Sequence, residues 1–130
     1  MNALRKTTQT PGELTLCNIP EPEVAEDDVK LRVHASGLCG TDMHIREGGY
    51  GFRPPVTLGH EIGAEIVEGG ASVGSLEPGD RGTVNPTANN ACGQCRFCQE
   101  GRYFFCPKRR SIGSGIDGGF AEYILSLIHI

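Results

Sequence analysis

Cys92, Cys95, Cys98 and Cys106 give the spacing C-x2-C-x2-C-x7-C. Four thiolates this close in sequence suit a tetrahedral zinc, whose structural sites take four ligands and leave no open position. Gly93 and Gly101 supply turns for a short loop to wrap the ion. The stretch holds few apolar residues beyond Phe97, Tyr103, Phe104 and Phe105, so a metal must supply much of its local order. An iron–sulfur cluster is the rival occupant. Cys106-Pro107 ends the run as in bacterial ferredoxins, but those place three residues, not seven, before the last cysteine.

A second metal-competent set lies upstream, in Gly37-Leu38-Cys39-Gly40-Thr41-Asp42-Met43-His44 and in Gly59-His60-Glu61. A catalytic zinc takes three protein ligands and keeps its fourth position open. Cys39, His60 and Glu61 can provide those three. Neighbours in a regular strand point to opposite faces. His60 and Glu61 therefore share an ion only if the backbone is irregular, which Gly59 permits. Asp42 is a candidate acceptor for the other ring N–H of His60, fixing its tautomer. Taken alone, the same residues also fit ordinary structural roles, since a lone cysteine usually behaves as a small buried hydrophobe.

The elements that must position these groups are short. Val29, Leu31 and Val33 alternate with Lys30, Arg32 and His34, the period of a half-buried strand. Ile62, Ala64, Ile66 and Glu68 face one way along another. Met1–Lys6, Leu14–Asn18, Arg81–Pro86 and Phe120–Leu125 read as further strands, and Gly40–Glu47 as a short helix stopped by Gly48-Gly49. Glu77-Pro78-Gly79-Asp80 predicts a type II turn, with Gly where positive φ is required. The 19 Gly and 8 Pro among 130 residues favour many turns between short strands over a helical bundle. The expected fold is mainly β, a Greek-key or partly open barrel with one short helix and the cysteine lobe.

Composition narrows the function. The length suits one domain, not two. Sixteen acidic against 12 basic residues argue against a nucleic-acid platform. No run of 18 apolar residues spans a membrane. The first residues lack a signal peptide's apolar core, so the clustered thiols point to a reducing, cytoplasmic setting and to metal.

Five motifs occur in order: Gly-Leu-Cys-Gly-Thr-Asp-Met-His, Leu-Gly-His-Glu-Ile-Gly-Ala-Glu-Ile-Val, Pro-Gly-Asp-Arg, the four-cysteine lobe, and Asp-Gly-Gly-Phe-Ala-Glu-Tyr. Together they resemble the N-terminal catalytic domain of a zinc-containing medium-chain dehydrogenase/reductase, nearest to the sorbitol, threonine and related polyol dehydrogenases. The resemblance covers residues 1–124 and implies a GroES-like barrel. It implies two zinc ions: a catalytic one on Cys39, His60 and Glu61, and a structural one on Cys92, Cys95, Cys98 and Cys106, in the lobe 92–106. It also implies Thr41 as the hydroxyl that takes the substrate proton, His44 as the outer member of the relay and Asp42 as the supporting carboxylate. Many relatives use a further ligand from beyond this stretch. The implied reaction moves hydride from a small alcohol or polyol to NAD or NADP, with the zinc as Lewis acid, in a homo-oligomer. The nucleotide-binding Rossmann domain is expected outside this chain, which alone should be inactive. A zinc-stabilised, non-catalytic binding barrel is the alternative, since fold does not fix function.

Gly113-Ser114-Gly115-Ile116-Asp117-Gly118 matches G-x-G-x-x-G, but no strand precedes it and no helix follows, so it reads as a flexible loop feeding a hairpin. Lys108-Arg109-Arg110 reads as a solvated loop, Cys17 as packed in or beside the barrel, and His34 as exposed. Residues 125–130, Leu-Ser-Leu-Ile-His-Ile, read as the translation of a transposon end used to prepare sequencing libraries. The natural chain is then expected to continue beyond Ile124, and the hexapeptide to add little to the barrel.

Overall fold

The computed structural model describes residues 1–86 and 91–127. β1 (Asn2–Lys6) lies between β2 (Thr15–Asn18) and β4 (Val56–Thr57) in a three-stranded antiparallel sheet. The second sheet is also antiparallel and runs β6 (Arg81–Thr83), β5 (Glu61–Gly69), β3 (Asp28–Gly37), β7 (Tyr123–Leu127). A bridge between Ala3 and Ala121, with the Leu4 N–H donating to the Phe120 carbonyl at 2.8 Å, joins the two sheets into a partly open barrel.

The alternation in β3 and β5 is the reason the barrel closes on an apolar interior. Ile62, Ala64 and Ile66 are buried, and Leu31 and Val33 pack from β3 onto the same cluster, with Val84, Ile112 and Ile124. Arg32 and His34 face water, and His34 meets Glu65 at 3.0 Å. Two register shifts, between Lys30 and Leu31 and between Val33 and Ala35, interrupt the β3–β5 ladder. Bulges of this kind bend a strand and raise its twist, which curls so small a sheet.

A helix, α1 (Gly40–Arg46), packs beside β4. It buries Ile45 against Val56 and Leu58, with Leu14, Phe52 and Phe120 around them. Burying that side chain contributes about 1.5–3 kcal/mol. A seven-residue helix needs such tertiary support, since isolated helices this short do not hold in water.

The Glu77–Asp80 turn forms as expected: Gly79 has φ +101° and the Asp80 N–H donates to the Glu77 carbonyl at 3.1 Å. Three boundaries move. The strand at 81 stops at Thr83; Val84 still donates to the Ile62 carbonyl at 3.2 Å, and Pro86 then has no N–H to continue a ladder. The strand expected at Phe120–Leu125 begins instead at Tyr123, because Phe120 turns its N–H to the Leu58 carbonyl. The same strand runs on through Leu125, Ser126 and Leu127, which pair with Lys30, Val29 and Asp28. The expected boundary after residue 124 thus falls inside β7, and residues 128–130 lie outside the described residues. Cys17 is half-buried on β2. Among the described residues no helix is long and apolar enough to cross a membrane.

Candidate metal centres

Cys39, His60 and Glu61 converge: one ligand atom from each lies within 4.8 Å of the other two. Ligands on a tetrahedral zinc stand about 3.3–3.8 Å apart, given bond lengths near 2.0–2.3 Å. Small side-chain rotations therefore bring sulfur, imidazole and carboxylate onto one ion. Cys39 N-caps α1 and is half-buried; His60 is 19% exposed. Glu61 opens β5 opposite Gly37 of β3, where the carboxylate lies across the glycine in the space a Cβ would take. The two neighbours share a face because Gly59, at φ +89°, breaks the pleat before them.

Asp42 is 2% exposed and holds both ligand-bearing segments at once. Its Oδ2 accepts from the Cys39 N–H at 3.0 Å and its Oδ1 from the Gly59 N–H at 3.1 Å. His60 Nδ1 stands 3.7 Å from Oδ1, beyond hydrogen-bond length. The carboxylate therefore works here through two peptide N–H groups, with the imidazole near but not bonded. Thr41 Oγ1 is 3.7 Å from Cys39 Sγ. His44 follows three residues later on α1 and is exposed, so the pair shares one side of the helix.

The loop 113–120 has a role that sequence reasoning missed. It is a packed support rather than a loose connector: Gly113, Ser114, Gly118 and Gly119 are all buried. The N–H groups of Gly118, Gly119 and Phe120 donate to the carbonyls of Thr57, Gly59 and Leu58 at 2.9, 2.9 and 2.8 Å. Asp117 Oδ1 accepts from the Thr57 N–H at 2.7 Å. A Cβ on Gly113 would sit 2.9 Å from the Gly59 carbonyl oxygen, and one on Gly118 would overlap that same atom. Backbone thus lies directly on backbone beside His60. The signal was the glycine density itself, which also marks close approach between chains.

In the lobe, Cys98 lies in α2 (Arg96–Gln99) with Cys95 as its N-cap, Cys106 ends a 3-10 turn at Tyr103–Phe105, and Cys92 precedes both elements. All four sulfurs lie within 4.8 Å of one another, with Cys92–Cys98 at 3.9 Å and Cys95–Cys98 at 3.5 Å. A tetrahedral zinc with bonds near 2.3 Å needs about 3.8 Å. An iron–sulfur cluster spreads its thiolates over different irons and would hold them farther apart. The lobe has little other core: Ala91, Cys98 and Cys106 are buried, whereas Phe104 and Phe105 are 62% and 54% exposed. Backbone N–H groups of Gln94 and Cys95 bring the Cys92 thiol down to about 6. The Cys92 N–H, 3.4 Å from Cys106 Sγ, lowers that thiol too. Burial pushes Cys98 up to about 12. Thiolate at all four positions therefore wants a cation at the centre, and metal binding releases the remaining protons.

Residues 25–127 match the family model described as the alcohol dehydrogenase GroES-like domain. A sorbitol dehydrogenase of Halalkalibacterium halodurans is 41% identical over 126 residues, 97% of this chain and 36% of that protein. An L-threonine 3-dehydrogenase of Streptomyces avermitilis is 43% identical over 128 residues, 95% of this chain and 36% of its own length. A crystal structure of a zinc-binding dehydrogenase of Sinorhizobium meliloti, bound to NADP, superposes with a TM-score of 0.85 at 43% identity. It aligns over 97% of this chain and 36% of that one. The chain therefore spans 36% of the length of these relatives.

Proposed function

The chain belongs to the alcohol dehydrogenase GroES-like domain family, and from that premise we propose that it carries the metal-holding part of a zinc-dependent NAD(P) alcohol or polyol dehydrogenase. One observation carries this reading: Cys39, His60 and Glu61 meet within 4.8 Å while Asp42 ties the Cys39 N–H to that of Gly59, the residue before His60. A binding module has no need of three converging ligands. Zinc, when bound there, supplies Lewis acidity toward an alcohol oxygen, and the nicotinamide, held by residues outside this chain, supplies the hydride chemistry.

The chain's own groups do the rest. Cys39, His60 and Glu61 would hold that ion, three protein groups being the number a catalytic zinc takes. Thr41, next to Cys39, accepts the proton of the alcohol and passes it outward. His44, exposed on the same side of α1, hands it to water. Asp42 fixes the spacing of the two ligand segments and excludes water beneath them, being buried. The lobe holds a second, structural zinc on Cys92, Cys95, Cys98 and Cys106. The whole enzyme is a cytoplasmic homo-oligomer acting on a small alcohol or polyol.

Metal analysis of the purified chain tests this. Two zinc ions per chain are expected, falling to one in Cys39→Ala and in His60→Ala. One zinc in the unmodified chain, retained in both variants, would instead assign a binding barrel stabilised by its lobe. The chain alone should not oxidise polyols with NAD or NADP, because hydride transfer depends on a nicotinamide held in place; turnover by it would refute the division of labour.

A further inference from the structure

Lys6 is fully buried, and the proposed chemistry makes no use of it. Its ammonium donates to the carbonyl of Thr10, to that of Glu13 at 3.2 Å and to that of Arg46 at 2.9 Å. The Phe52 ring lies 5.7 Å away. An ammonium has three donors, and here all three have backbone acceptors. A charge taken out of water without that complement would be costly, so the site is built for a cation. The Arg46 carbonyl ends α1, and it also accepts from the Gly12 N–H at 2.8 Å. The negative end of the helix thus faces the ammonium.

The backbone of Lys6 grips the other ligand segment. Lys6 pairs with Val56 in the β1–β4 ladder, and Leu58 donates to the Leu4 carbonyl at 3.3 Å. Four residues after Val56 comes His60. Through its side chain Lys6 holds the helix that Cys39 caps; through its main chain it holds the strand that leads to His60 and Glu61. Asp42 closes the same frame from the opposite end, on the Cys39 and Gly59 N–H groups.

We propose that Lys6 is a positioning residue for the Cys39–His60–Glu61 centre, setting the distance between its cysteine and its histidine–glutamate pair; this rests on the zinc reading of that centre. Removing the ammonium takes one contact from the end of α1 and leaves it on the Arg46–Gly12 bonds alone, so that the helix end loosens. The plainer role, steadying the 7–13 turn alone, would leave the centre unchanged.

The experiment is a cobalt titration of the chain and of Lys6→Met, with amide NMR alongside. Cobalt on four thiolates absorbs more strongly than on one, so both centres are read in one sample. Affinity at the Cys39 centre should fall about tenfold or more, the range for lost supporting contacts, while the lobe keeps its affinity. The Cys39 and Gly59 amide signals should move as well. Equal affinity at the Cys39 centre in both proteins, or an equal loss at both centres, would overturn the role. If the unmodified chain takes cobalt only in the lobe, the zinc reading fails first and the role fails with it. Should Lys6→Met not fold, Lys6→Gln, which keeps a neutral donor, is judged by the same two affinities.

Discussion

Gly118→Ala is the most direct probe of the support beneath His60. The added Cβ would overlap the Gly59 carbonyl oxygen and lie 2.7 Å from the Leu58 carbonyl oxygen and 2.8 Å from the Gly113 Cα. Ordinary contacts between carbon atoms begin near 3.5 Å. All three neighbours are backbone, so no side chain can rotate away. Overpacking of this kind costs about 1–3 kcal/mol. Moving the loop outward also stretches the bonds from the Gly118, Gly119 and Phe120 N–H groups, each worth about 0.5–1.5 kcal/mol. A loss of about 2–4 kcal/mol is expected once partial relaxation is allowed, a large share of a typical domain's 5–15 kcal/mol. Urea unfolding of the metal-free chain measures it, with Gly74→Ala as the control, because a Cβ at Gly74 meets nothing within 4 Å. Zinc uptake at the Cys39 centre should weaken in parallel, since the displaced carbonyl is that of Gly59. Gly118→Ala and Gly74→Ala alike in both stability and zinc uptake would refute the reasoning.

Cys98→Ser should reduce zinc by one ion per chain and raise hydrogen exchange across residues 92–106, with the β3–β5 ladder still protected; unfolding of the barrel would show that lobe and barrel form one unit. A pH titration of stability tests Glu65. The His34 hydrogen bond above all, with a weaker one from Arg81, holds its carboxyl below the ordinary 4.5; burial opposes them, ranking between the two bonds. A lowered folded value means that the stabilisation is present above the unfolded value and lost as pH falls through the folded one. Glu65→Gln should therefore lower the urea midpoint slightly at pH 7, as expected of a surface pair, and the gap should close in acid. A gap that stays at its neutral-pH size however far the pH falls below 4.5 would count against the ionic origin.

Local chemistry was legible in the sequence. The four lobe cysteines lie within fifteen positions, 92 to 106, so their spacing alone brings the sulfurs together around a small ion. The alternation of Ile62, Ala64 and Ile66 already named the buried face of β5, because a pleat has period two. Gly59 already stood out as the place where His60 and Glu61 could turn to one side. What tertiary structure decided was every relation between distant stretches of backbone. Asp42 was expected to face the His60 ring, and it bonds instead to the Cys39 and Gly59 N–H groups, whose positions depend on how α1 sits on β4. The glycines of 113–119 looked like slack, yet Gly113 and Gly118 lie against Gly59 with no room for a Cβ, and one on Gly119 would overlap the Ile62 side chain. Lys6 stood in the sequence only as the end of the expected strand Met1–Lys6, and it is buried on three carbonyls from two other segments. Residue type announces which side chains can bind a metal. Peptide N–H and C=O groups are the same at every position, so which of them meet is written only in the register of the sheets and the seat of the helix.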